Sequence, residues 1–297
     1  MTTARVTFPT NGLVSVHIEV DRGYVDIVCS RRADAVVTVT PGNSARSGDR
    51  AAAEQILVDQ KGQLISVSGP ARRSVFGSRA SVNILIELPE ASDITAHITY
   101  GSLRVTGLVG KVQARLEYGD ASIETSARLS LHGGHGEMLI GRVDGDADVT
   151  LASGSVRIGQ VGQGLRVKGG HGSVDVGTVC GYADISTAGT IELGTAGDAL
   201  SVRSACGGVR IRDLVRGTAR VEASHGTVHL GVRKGRAVWL DASSEHGTVR
   251  SDLASDPGPA GDEEALELRV HTNHGDIVVQ RSESNAGPTH QNERTSR

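Results

Sequence analysis

From residue 98 onward apolar and polar side chains alternate in short runs, and each run opens on a glycine. One unit reads Gly154-Ser155-Val156-Arg157-Ile158, a Gly-rich corner, Leu165-Arg166-Val167-Lys168, and a second corner, Gly169-Gly170-His171-Gly172. A side-chain period of two means extended strand, so Val156, Ile158, Leu165 and Val167 are expected inside and Arg157, Arg166 and Lys168 outside. The turn recurs about every 18 residues, within the period range of stacked repeat architectures. It runs from Tyr100-Gly101-Ser102-Leu103-Arg104-Val105 to His274-Gly275-Asp276-Ile277-Val278-Val279. This predicts an all-β chain forming a single elongated β-solenoid of about 18-residue coils, with roughly ten coils at about 4.8 Å each making a rod near 50 Å.

Residues 1–97 lack the repeat and read as an N-terminal β-strand cap continuous with the solenoid of 98–281. Val14, Val16, Ile18 and Val20 alternate there, as do Val82, Ile84, Ile86 and Leu88 before Pro89. Asp49–Gln55 is the one helix-favouring stretch. Arg72–Arg79 reads as a solvated basic loop. A Pro- and Gly-containing insertion near 254–263 is expected to fold over the open end of the solenoid and block end-to-end pairing, and 282–297 reads as a disordered tail.

Composition narrows the function classes. Lys+Arg 31 against Asp+Glu 34 gives a formal charge of −3, which offers no basic excess for a nucleic acid. Met1–Phe8 contains no apolar run, so neither a secretory signal nor membrane insertion is expected, and the expected location is cytoplasmic. Three cysteines, Cys29, Cys180 and Cys206, without a CxxC pair, suit reduced thiols rather than a disulfide framework. No GxSxG, HExxH or P-loop pattern occurs, so no enzyme, catalytic residue or cofactor is predicted.

Stacking converts sequence positions into columns. Six residues before each turn Gly, with a one-residue gap allowed at Asp184, stand Asp148, Arg166, Asp184, Ser201, Arg220, Asp241 and Arg269, whose alternating signs favour the correct register. A second column, Arg157, Asp175, Glu192, Arg210, His229 and Arg250, sets Asp175 beside Glu192; paired acids serve glycosidases, but flanking arginines favour a neutralised surface ladder. Immediately before the turn Gly come Tyr100, Tyr118, His135, Ser153, His171, Ala188, Cys206, His225, His246 and His274. The histidines are explained by their tolerance of positive φ in a tight turn; no metal site is predicted, although His225, His246 and His274 are the set a Zn²⁺ would require. Trp239, the sole Trp, is expected to pack beneath the Pro-containing insertion rather than stack on a ligand.

With the repeat laid out, the chain resembles the bacterial "putative adhesin" family of β-strand-repeat proteins, a domain family of unknown function. The resemblance rests on Ile84-Leu85-Ile86-Glu87-Leu88-Pro89, the repeated Gly-x-[Val/Ile]-x-[Val/Ile/Leu] turns, Ala237-Val238-Trp239-Leu240-Asp241, and the ending His271-Thr272-Asn273-His274-Gly275-Asp276-Ile277-Val278-Val279. It spans about 11–281 and implies a β-solenoid and, by its name, surface attachment. The expected function is a non-catalytic scaffold or protein-interaction module. The alternative is a carbohydrate-binding or carbohydrate-active β-helix protein, for which fold analogy is the support.

Overall fold

Alternation becomes strand nearly everywhere in the computed structural model, which describes residues 4–10, 12–69, 80–253 and 265–282. The N-terminal part contains β1 (Ala4–Pro9), β2 (Ser15–Ser30), β3 (Asp34–Pro41), helix α1 (Ser47–Glu54), β4 (Leu57–Lys61), β5 (Leu64–Ser68) and β6 (Val82–Pro89). Three long strands follow, β7 (Asp93–Tyr118), β8 (Ala121–Val143) and β9 (Ala147–Val161). Then come β10 (Leu165–His171), β11 (Val174–Val179), β12 (Ala183–Thr187), β13 (Ile191–Ala196), β14 (Leu200–Ser204), β15 (Val209–Leu214), β16 (Thr218–His225) and β17 (Val228–Val232). The last four are β18 (Val238–His246), β19 (Val249–Ser251), β20 (Leu266–His274) and β21 (Ile277–Arg281). The basic loop, the insertion and the tail beyond Ser282 lie outside the described residues; Ser282 itself is buried, its hydroxyl donating to Asp213 Oδ1 at 2.9 Å. No helix among the described residues is long and apolar enough to cross a membrane.

From β7 onward the pairing is parallel and each residue faces its repeat-mate. Leu165 lies between Ala147 and Ala183, and Val174 between Val156 and Ile191. Two ladders result. One runs β9, β10, β12, β14, β16; the other runs β9, β11, β13, β15, β17. The inward rows meet between them: Leu165, Val167, Val174, Val176 and Val179 are all buried, and their outward neighbours Arg166 and Lys168 are not. Burying a side chain of this size stabilises by about 1.5–3 kcal/mol, so a narrow core gains strength only by being long.

The C-terminal end departs from sequence order. β20 pairs with β16 on one side and β18 on the other, and β21 likewise separates β17 from β19. The final pass of chain is therefore inserted beneath the pass that precedes it. Side-chain chemistry accounts for the exchange. The inserted pass turns Leu266, Leu268, Val270, Ile277 and Val279 inward, each buried. The displaced pass turns Val238, Leu240, Ala242 and Ser244 inward, all half-buried, and Val249, which is exposed. Placing the more apolar pass inside and the Ala- and Ser-bearing one at the end removes more apolar area from water than sequential stacking would.

The N-terminal end is built the same way. β2 lies between β7 on one side and β5 with β6 on the other, with Arg22 opposite Tyr100 and Gly23 opposite Gly101. The repeat column thus starts at Arg22-Gly23-Tyr24-Val25, ahead of the Tyr100-Gly101 turn at which it becomes visible in sequence. Beyond that point pairing turns antiparallel, β3 on β6, β1 on β3 and β4 on β5. Helix α1 falls within one turn of the expected stretch, and its buried Asp49 carboxylate accepts from the backbone N–H groups of Asn43 (2.8 Å) and Ser81 (3.2 Å).

Candidate ligand-binding face

The corner glycines stack so closely that no side chain fits. A Cβ on Gly119 would lie 1.6 Å from the Gly101 carbonyl oxygen, on Gly172 1.6 Å from that of Gly154, and on Gly189 1.7 Å from that of Gly172. Gly172 has φ +137°, whereas Gly189 is not in the positive-φ region. Close backbone approach, rather than the positive φ expected from sequence, is what these positions share. The histidine explanation changes too. Ala91 is the one non-Gly residue with positive φ among the described residues, so the His column is not there for its backbone.

Ring stacking is the structural reason. Arg22 lies over the Tyr100 ring (4.5 Å), Tyr100 stacks on Tyr118 (5.0 Å), and Tyr118 on His135 (5.1 Å). At the other end His274 stands between His225 (5.0 Å) and His246 (4.6 Å), because the inserted pass places it there. These rings lie one above another instead of converging on a point, and no cluster of three or more His, Cys, Asp or Glu among the described residues has metal-binding geometry. Cys206 and Cys180 are exposed and unpaired. Cys29 is buried, and burial, with Glu90 nearby, pushes its thiol up to about 12.

The charge columns are also re-ordered by the insertion. Arg269 falls between Arg220 and Asp241, so two arginines become neighbours where sequence order alternates the signs. Each guanidinium turns to a carboxylate on its own strand, Arg220 to Glu222 and Arg269 to Glu267, both at 2.6 Å. Hydrogen bonds from Arg220 and then Arg203 hold the Glu222 carboxyl below its usual range. In the second column Asp175 and Glu192 are direct neighbours as expected, with Arg157 Nε 3.8 Å from Asp175 Oδ2, but Val278 separates His229 from Arg250.

The outward face of β16, β20 and β18 carries features that the repeat did not reveal. Ser243 Oγ lies 3.0 Å from His271 Nδ1, and His271 Nε2 lies 3.1 Å from Asn273 Oδ1. An imidazole with its Nε2–H donated to Asn273 accepts from Ser243, so the ring orientation is fixed from both sides. A shallow hollow of about 180 Å³ opens here, lined by Arg220, Glu222, Asp241, Ser243, Arg269 and His271. Beside it Trp239 is 53% exposed, with the Arg269 guanidinium 5.6 Å from its ring. Trp239 is therefore not buried as expected. The column four residues before the turn Gly, Glu222, His271 and Ser243, carried the signal, obscured because sequence order sets Ser243 ahead of His271.

A family model matches residues 15–280 of this chain, nearly the whole ladder, and is described as Toastrack DUF4097. The chain belongs to the Toastrack DUF4097 family. No curated protein matches the chain. Among solved structures, this toastrack chain is similar to a protein of Bacteroides fragilis described as "a putative adhesin", at 10% identity, 94% of this chain and 97% of that one, TM-score 0.39. It is also similar to "a putative cell adhesion protein" of Clostridium sporogenes, at 11% identity, 94% and 99% coverage, TM-score 0.22. A third is described as a "putative lipid binding protein" of Parabacteroides distasonis, at 12% identity, 93% and 96% coverage, TM-score 0.35.

Proposed function

We propose that this toastrack protein is a non-catalytic β-solenoid of about 18-residue coils whose outer strand faces bind a protein partner. The observation that carries the reading is the outer surface of the in-register parallel ladder, in which ion pairs such as Arg157 with Glu137 and Asp175 neutralise one another. Such a surface supplies fixed geometry for a partner without the enclosed, water-excluding pocket that catalysis uses. Photo-crosslinking residues placed at Arg166 and Asp184 in the native cell test it. A single adduct, competed by excess unmodified protein, is expected; no competed adduct at any salt concentration refutes the reading. Carbohydrate binding is the second reading, and the exposed Trp239 beside a polar hollow favours it.

A further inference from the structure

Resting on that second reading, we propose that the hollow across β16, β20 and β18, with Trp239 at its end, is a binding site for a neutral oligosaccharide. Three observations converge on this ligand class. The first is the ring itself. Trp239 is the sole Trp in the chain and stands on the outward face of the last strand of the ladder, 53% exposed, where a core role does not explain it. An exposed indole offers a flat apolar surface with a polar edge, suited to the apolar face of a sugar ring.

The second is the kind of group that lines the hollow. Arg220, Arg269, Asp241 and Glu222 are planar and bidentate, and Ser243 and His271 add single donors and acceptors. Adjacent sugar hydroxyls present pairs of donors and acceptors at the spacing such planar groups accept. The Asp241 carboxylate has no ion-pair or hydrogen-bond partner among the described residues, although Arg269 stands opposite it in register. Its neighbours are pre-set: Glu222 is held by Arg220 and Arg203, Arg269 by Glu267, and His271 by Ser243 and Asn273. Groups already fixed in place lose little side-chain entropy on binding.

The third is charge balance. The four charged residues that line the hollow, Arg220 and Arg269 against Glu222 and Asp241, sum to zero, so its lining carries no net charge to select an acidic or basic ligand. A flexible protein segment of like polarity would have to find hydrophobic anchoring that this hollow lacks, whereas a sugar chain needs one stacking ring and a row of hydrogen bonds.

Calorimetric titration of the full chain with maltohexaose, cellohexaose and mannohexaose, and with an oligogalacturonate as the acidic comparison, tests the proposal. Trp239 fluorescence provides a parallel reading from one known position. The expected result is saturable binding of at least one neutral hexasaccharide, weakened about tenfold or more, a loss of roughly 1.4 kcal/mol, by Trp239→Ala and by Asp241→Ala. Trp239→Phe, which keeps a ring, should retain part of it, and Arg142→Ala on β8, where the side chain pairs with Asp144, should leave it unchanged. Neutral binding that survives both Trp239→Ala and Asp241→Ala overturns this site and leaves the carbohydrate reading standing. Binding of the oligogalacturonate alone overturns the neutral class. No binding of any of the four overturns both the site and the carbohydrate reading.

Discussion

Replacing Gly189 by alanine isolates what the glycine column contributes. Gly189 is not in the positive-φ region, so the change carries no conformational strain of its own, but the new Cβ would lie 1.7 Å from the Gly172 carbonyl oxygen. Relief requires the two passes to separate by more than an ångström, which costs about 1–3 kcal/mol as overpacking and about 0.5–1.5 kcal/mol for each ladder hydrogen bond lost. A destabilisation of about 2–4 kcal/mol is expected. Gly235→Ala is the complementary case: φ is +77° with nothing within 4 Å of the added Cβ, so only left-handed strain of about 1–2 kcal/mol applies. Gly172→Ala combines both penalties and should cost most. Urea unfolding followed by circular dichroism ranks the three, and hydrogen exchange should localise the Gly189→Ala effect to the passes on either side, since repeats couple mainly to neighbours. If Gly189→Ala costs no more than Gly235→Ala, close stacking is not why the column is glycine.

Further expectations concern the two ends and the thiols. His274→Ala removes two ring contacts and His246→Ala one, so at about 0.5–1.5 kcal/mol per contact the first should be roughly twice as destabilising; sequential stacking gives the opposite order. Amides of β18 and β19 should exchange faster than those of β20 and β21 in native-state hydrogen exchange, and equal or reversed rates would contradict the insertion. The Asp276 carboxyl lies below its ordinary value because the backbone N–H and then the hydroxyl of Thr248 donate to it. Its contribution is therefore present above the unfolded value of about 3.9 and lost as pH falls through the folded one, and Asp276→Asn should flatten that acid limb of the urea midpoint. A thiol reagent at pH 8 should label Cys180 and Cys206 readily and Cys29 only on unfolding; labelling of all three in the native protein counts against the buried thiol.

The middle of the ladder was legible because a strict two-residue alternation and a glycine turn leave one register: Leu165 and Val167 point inward in sequence and in space. The ends were not. Periodicity says which residues are equivalent and nothing about which equivalent pass lies next to which once a long connection intervenes, so His274 and Arg269 were placed last when they stand second from the end. Gly23-Tyr24-Val25-Asp26-Ile27 has the same pattern as the later turns, but the chain between it and Gly101 conceals that they are neighbours. Trp239 differs for another reason: a lone aromatic residue near the Pro-containing insertion reads as packed beneath it, whereas it stands exposed on the displaced pass at the end of the stack.

The first long strand, β2, and the β20–β21 pair are flanked on each side by other strands, whereas β1, ahead of them, pairs with β3 alone. A tensile load would therefore draw β1 off β3 first, and beyond it would have to pull a strand out from between two partners, shearing both rows of hydrogen bonds together. The same arrangement limits how such a stack of passes can change in number over evolutionary time. Whole passes can be gained or lost in the uniform stretch between the two interleaved ends, while the ends themselves persist as fixed clasps.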